Sequence, residues 1–300
     1  MRVVSLGSGS SGNSLLIEAG QRGRTKLLVD AGFTGRTLIQ RLWQAGVSPA
    51  QLQSVLVTHE HTDHILGLPM LIQRHAVPVV ADSRTLEAIE QIFASDAWKT
   101  ELAALDQCSD TLQQSKTVMV EQLRALAVGS RIAIGDIEVT SFPVSHDAVA
   151  PCGYLLSAGG CRVCVVIDSG EVTPAMLEAM HQADLLVLES NHDRQRLLRG
   201  PYPYSLKRRI LSPTGHLSND QAADAVLRTW RTDSVRWLWL SHLSRTNNTP
   251  KIALSSMISH IKETRANLAQ IHITVLPPDM GGTWDSTQLW HAPSLWEMQV

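Results

Sequence analysis

The stretch LQSVLVTHEHTDHILG, residues 52–67, sets His59, His61, Asp63 and His64 directly behind a buried apolar run. Three imidazoles and a carboxylate in six residues do not suit an ordinary core, where each would be an unpaired polar group costing roughly 1–3 kcal/mol. A solvated loop gains nothing from such a density of histidine. The chain must therefore fold so that the end of this strand meets a cation. Positions 59 and 61 alternate and converge on one ion as the strand runs out, while 63 and 64, at the start of the following turn, reach a second.

Two ions need more ligands than one run supplies, and the remainder of the chain offers them at strand ends. VTSFPVSHDA presents His146, CVVIDSG presents Asp168 and VRWLWLSHLS presents His242. Strand-length apolar runs recur at 3–6, 15–17, 26–29, 54–57 and 77–80, then at 131–144, 152–158, 161–168, 184–190 and 235–242. The spacing of Leu38, Leu42 and Ala45, with a glycine stop at 46, predicts a helix over 34–46. Thr173-Pro174 opens another over 173–183, and Ser218-x-x-Gln221 is a capping box for a third over 219–231. Two successive sets of strands followed by helices predict an α/β architecture: two sheets, each covered by helices on its outer side. Residues 99–125 are expected to form a surface connection or extra helix between the halves. The tail beyond Pro277-Pro278, with Trp284, Trp290 and Trp296, is expected to pack back on the body.

Composition narrows the partners. A net charge of −2 over 300 residues, with 44% apolar and 18% charged residues, excludes a generally basic nucleic-acid coat, so a polyanion must be met by a local patch. No run of eighteen apolar residues is present and the start MRVVSLGSGSSGN lacks the apolar segment of a signal peptide, so a cytoplasmic protein with no membrane partner is expected. Cys108, Cys152, Cys161 and Cys164 read as reduced, packed thiols, and the spacing of Cys161 and Cys164 turns them to opposite faces of one strand. Gly7, Gly9 and Gly12 match G-x-G-x-x-G, but a second apolar run follows rather than a helix, so the segment reads as strand, turn, strand and not as a dinucleotide site.

The HxHxDH run, followed in order by His146, Asp168 and His242, resembles the metallo-β-lactamase-fold metallohydrolases over nearly all 300 residues. The resemblance implies a four-layer αββα sandwich, one domain over 1–300 with a Trp-rich tail at about 277–300. It implies that His59, His61 and His146 bind one ion, that Asp63, His64 and His242 bind the other, and that Asp168 bridges them. Asp30, closing KLLVDAG, matches an early aspartate that orients the histidine loop through hydrogen bonds. Five imidazoles point to two divalent ions of zinc, with manganese or iron as the other candidates, rather than magnesium. Such a pair lowers the pKa of a shared water and stabilises the charge that develops on attack, with Asp63 part of that catalytic machinery.

The same site serves enzymes that hydrolyse lactams, thioesters and phosphodiesters, so the reaction must be read elsewhere. SPTGHLSNDQAADAVLRTW places His216 in a Gly-His-x-Ser loop, resembling the position where tRNA 3′-processing ribonucleases keep a proton-donating histidine. A general acid there suits an alkoxide leaving group. DLLVLESNHDRQRLLRGPYPYSLKRRILSPTGHLSN resembles the YycJ/WalJ group of this superfamily, described as DNA-directed exonuclease-like hydrolases, and SGSSGN, SHDA and LSHLSRTNNTP fit the same group. By that analogy Glu189 or His192 orients His216. Between 194 and 209 the chain carries six basic residues, two tyrosines and no acid. Lys207, Arg208 and Arg209 are expected to contact phosphates, and Asn13, with Ser10 and Ser11, to offer donors to a phosphate or to the Asp30 region. The expected activity is phosphodiester cleavage in nucleic acid, DNA ahead of RNA. The alternatives are a small-molecule phosphodiesterase or thioester hydrolase of the same fold, and a metal-stabilised scaffold, which the full ligand set disfavours.

Overall fold

The computed structural model describes residues 1–95, 122–232 and 234–289. Two seven-stranded sheets face each other. The first contains β1 (Arg2–Gly7), β2 (Ser14–Ala19), β3 (Thr25–Val29), β4 (Ser54–Leu56), β5 (Val79–Ala81) and β6 (Leu123–Ala125). The second contains β7 (Arg131–Ile134), β8 (Ile137–Pro143), β9 (Cys152–Ala158), β10 (Cys161–Val166), β11 (Leu185–Glu189), β12 (Arg236–Ser241) and β13 (Ile271–Val275). A last short strand, β14 (Thr283–Asp285), returns to the first sheet and pairs antiparallel with β1. In each sheet a run of antiparallel hairpins gives way to parallel strands, β3 to β6 in one and β10 to β13 in the other.

Both faces of the inner strands are covered, which is why β2, β3 and β11 read as continuous apolar runs, whereas the edge strands β7 and β13 alternate. Leu15, Ile17, Val29, Val163, Val187 and Trp239 meet between the sheets. Their neighbours Leu16, Leu28 and Val55 point outward, against α1 (Gly35–Gln44), α3 (Leu68–His75) and α4 (Ser83–Ala94), with the single turn α2 (Thr62–Ile65) between them. Cys164, Leu186 and Leu238 likewise pack on α5 (Pro174–Gln182), α8 (Asn219–Arg228) and α9 (Pro250–Glu263). Two short helices, α6 (Arg194–Arg199) and α7 (Tyr204–Ile210), lie between α5 and α8 in sequence. The layers are therefore αββα, as expected. Fully burying each Leu or Val contributes roughly 1.5–3 kcal/mol relative to exposure.

Local signals hold where they were strongest. Thr34 caps α1, Thr173 caps α5, and Ser218 with Gln221 forms the capping box of α8. Cys161 faces the inter-sheet core and Cys164 the outer one, so the pair does not converge on anything. Residues 123–125 correct an expectation: they are an edge strand, parallel to β5, not a connection or helix. Trp284 is fully buried, so this part of the tail packs back on the body. Cys108, Trp290, Trp296 and the rest of the proposed connection lie outside the described residues.

The fold gathers the chemistry at one rim. Asp30 follows β3, His59 follows β4, Asp168 follows β10 and His242 follows β12, all at the carboxyl ends of parallel strands. Asp30 (φ 62°), Asp168 (φ 60°) and His242 (φ 53°) each end a strand in the left-handed region, where Asn, Asp and His are the side chains best tolerated. Each strand thus stops by turning its last polar side chain off the sheet.

Candidate metal centre

Every residue expected to bind an ion converges on this rim. His59, His61, His146 and Asp168 bring one ligand atom each to within 4.8 Å of one another, and so do Asp63, His64 and Asp168. A third such group holds Asp168, Glu189, His216 and His242, so Asp168 belongs to all three. Its Oδ2 lies 3.0 Å from His64 Nε2, 3.4 Å from His59 Nε2 and 3.8 Å from His146 Nε2. Asp63 Oδ2 lies 3.6 Å from both His64 Nε2 and His242 Nε2.

The surroundings fix which nitrogen of each ring is free. Asp30 is buried and its Oδ2 lies 2.8 Å from His64 Nδ1, so the proton sits on Nδ1 and Nε2 faces Asp168. The other Asp30 oxygen accepts from the Thr58 amide at 2.9 Å. Thr58 Oγ1 in turn lies 3.0 Å from His59 Nδ1, and the carbonyl of Gly215 takes His146 Nδ1 at 3.0 Å. Sequence reasoning missed Thr58 and Gly215, although Thr58 directly precedes the motif. The turn into the motif is equally constrained: a Cβ on Gly32 would overlap the backbone carbonyl of Asp63 and come 2.7 Å from the amide of Asn13.

The donor set suits divalent cations. His242 Nε2 is buried with no hydrogen-bond partner among the described residues, and four buried or half-buried carboxylates, Asp30, Asp63, Asp168 and Glu189, surround the rings. Burial, reinforced by the charge of His64, keeps the His59 ring neutral, its pKa down at about 3. Burial also opposes a charge on His64 and on His242. Asp30 and Asp63 overcome it at the first and Asp168, Asp63 and Glu189 at the second, lifting both well above the usual imidazole value. A nest of carboxylates that holds protons this strongly holds a divalent cation by the same field.

His216 sits beside the ligands. Its Nδ1 lies 2.8 Å from Glu189 Oε1 and 3.4 Å from Asp168 Oδ1, and the ring borders a cleft of about 280 Å³ that also opens on His61, Asp63, His146 and His242. Glu189 is fully buried. Its Oε1 also faces His242 Nδ1 at 2.9 Å, while its Oε2 accepts from the amides of Ser169 and Leu217, both at 3.0 Å. Of the two residues expected to orient His216, Glu189 is the one bonded to its ring. His192 is buried and its ring makes no hydrogen bond among the described residues, while its backbone ties the loop to Asn219. Burial lowers the pKa of His216, but Glu189 and Asp168 outweigh it and raise it to about 10. In chelated protein this proton is a stabilising group: its contribution is complete below the ordinary value of 6.5 and is lost as pH rises toward 10. Thermal melts of chelated protein are expected to fall across that window while metal-loaded protein changes little; a flat profile after chelation would contradict the assignment.

The expected phosphate contacts are redistributed. Only Arg209 of the 207–209 cluster borders the cleft, with Tyr202 and Leu206, and its Nε donates to Asp147 Oδ2 at 2.5 Å. Lys207 turns away and caps the carbonyls of Leu198 (2.9 Å) and Gly200 (2.8 Å), and Arg208 is exposed outside the cleft. Successive helical residues differ by about 100° in direction, so three charges in a row cannot face one site. Asn13, expected to face substrate, is buried beneath the centre, its Nδ2 3.4 Å from Asp63 Oδ2 and 3.3 Å from His64 Nε2. No described helix is long and apolar enough to cross a membrane.

Comparison with known proteins agrees with this rim. The sequence model of the Beta-lactamase superfamily domain matches residues 25–242, from β3 to the last candidate ligand. The chain belongs to the β-lactamase superfamily. Within this superfamily of hydrolases it falls in the YycJ/WalJ group. It is 35% identical to exodeoxyribonuclease YycJ of Bacillus anthracis over 86% of this chain and 88% of the relative. It is 34% identical to exodeoxyribonuclease WalJ of Streptococcus pneumoniae over 86% of this chain and 87% of the relative. Among solved structures, Zn(2+)-bound PqqB from Methylobacterium extorquens shares the fold, with a TM-score of 0.65 and 17% identity over 95% of this chain and 100% of that one.

Proposed function

We propose that this protein is a metal-dependent phosphodiesterase that digests nucleic acid from an end, DNA rather than RNA. The observation that carries the reading is the place of His216: its Nδ1 lies 2.8 Å from Glu189 Oε1 and 3.4 Å from Asp168 Oδ1, at the mouth of a cleft bordered by Arg209 and Tyr202. Two divalent ions, zinc foremost, suit the donor set, one held by His59, His61 and His146, the other by Asp63, His64 and His242, with Asp168 shared. When bound, such ions activate water and neutralise charge on a phosphodiester. Arg209 and Tyr202 hold the backbone and a base of the entering strand. Glu189, bonded to Nδ1, leaves the Nε2 proton of His216 for the departing sugar oxygen, which is a poor leaving group unless protonated. The names of the YycJ and WalJ relatives support end-directed action on DNA.

His216→Ala separates this from a spectator role. The variant is expected to keep its metal content but lose about 10²–10⁴-fold in turnover on oligodeoxynucleotides. It should lose far less on bis-p-nitrophenyl phosphate, whose leaving group needs no proton. Equal losses on both substrates would remove the acid role. Wild-type protein that turns over the small diester but releases no nucleotides from DNA or RNA would favour a small-molecule phosphodiesterase instead.

A further inference from the structure

The turn joining β1 to β2 contributes more to the cleft than its glycines suggest. Its base is fixed to the metal centre: Ser8 Oγ accepts from the His242 amide at 2.9 Å, and Asn13 clasps Gly9 from both sides, accepting from its amide at 2.9 Å and donating to its carbonyl at 3.2 Å. Its tip is the opposite. Ser10 and Ser11 are exposed, Ser10 borders the cleft, and among the described residues neither of their amides has an acceptor. Arg245, exposed on the loop after β12, places its guanidinium 2.8 Å from Ser11 Oγ. Ser244 beside it also borders the cleft, and Arg196 reaches the carbonyl of Thr246 at 3.5 Å.

The two cations beside the cleft differ in their partners. Arg209, which borders it, is paired with Asp147, whereas Arg245, next to the bordering Ser244, has no carboxylate within ion-pair distance among the described residues and contacts the hydroxyl of Ser11. Two hydroxyls, two amides without a protein acceptor and a guanidinium, on a turn whose base is tied to His242 through Ser8, have the chemistry of an anion receptor. Resting on the phosphodiesterase reading, we propose that Ser10, Ser11 and Arg245 form a second phosphate subsite, which takes the phosphate next to the one that is cleaved.

The test uses the metal-loaded full chain. Calorimetry compares thymidine 3′,5′-bisphosphate with the two thymidine monophosphates. Hydrolysis compares dithymidine monophosphate with the same dinucleotide bearing a terminal phosphate, and with trithymidine diphosphate. The second phosphate is expected to tighten binding and lower KM about tenfold, the effect of one charge-assisted hydrogen bond. Arg245→Gln and Ser11→Ala should each erase most of that gain, whereas Arg131→Gln, on the remote strand β7, should keep it. A gain with the phosphorylated dinucleotide alone assigns the subsite to a terminal phosphomonoester; a gain with the trinucleotide as well assigns it to backbone phosphates. No gain in the wild type, or an undiminished gain in both variants, overturns the subsite. If the bisphosphate binds through Arg245 while no nucleotide is hydrolysed, the subsite stands and the nuclease reading falls.

Discussion

Asp168→Asn is expected to abolish activity and strip metal from a protein that still folds. One carboxylate belongs to all three ligand groups: Oδ2 faces His59, His64 and His146, and Oδ1 touches His242 and lies 3.4 Å from His216. Burial would raise its pKa, but the rings of His242, His216 and His59 hold it well below the usual carboxylate range, so it is an anion where the ions would sit. Asparagine keeps the shape and tolerates the left-handed backbone at φ 60°, so the change removes charge with little strain. Loss of the shared anion should lower metal content per chain by at least half, read by emission spectroscopy. Phosphodiester hydrolysis should fall about 10³-fold or more, the several kcal/mol that metal-supplied charge stabilisation is worth. A variant with wild-type metal content and turnover would refute a shared role for Asp168.

Gly32→Ala should be nearly as damaging, through packing alone. The added methyl meets only backbone: the carbonyl of Asp63 and the amide of Asn13. Those atoms belong to a knot in which the Asn13 amide donates to the Asp63 carbonyl at 2.9 Å, the Gly32 amide to the Asn13 carbonyl at 3.0 Å and the Ala31 amide to the His64 carbonyl at 2.8 Å. No flexible side chain can yield, so the histidine loop must shift as a unit. Unfolding measurements should show a loss on the order of 3 kcal/mol or more. Metal binding should weaken together with stability. A stable variant with an intact metal complement would mean that the loop and the β1–β2 turn move independently.

What could be read from the sequence follows the range of the interactions involved. The HxHxDH run is legible because its ligands are local, and Asp168 and His242 because a polar residue ending an apolar strand stands out by itself. The capped helices α5 and α8 announce themselves within four residues. Strands β6, β13 and β14 do not: β6 and β14 are three residues long, and all three owe their existence to pairing with distant partners such as β5, β12 and β1. The basic cluster was legible as charge but not as direction. A helix only seven residues long turns Arg209 to the cleft and Lys207 to the backbone of α6. Asn13 is legible as a functional polar residue, yet its depth beneath Asp63 depends on a close approach made possible at Gly32, about nineteen residues further along the chain.

The left-handed strand ends at Asp30, Asp168 and His242 also limit how this site can change over generations. A position at positive φ accepts few replacements without a backbone penalty, chiefly glycine, asparagine, aspartate and histidine. The alphabet open to these three positions is therefore small whether or not a metal is being selected for. A descendant that had abandoned hydrolysis would be expected to carry asparagine or glycine there, and to keep the outline of the rim long after losing its charge.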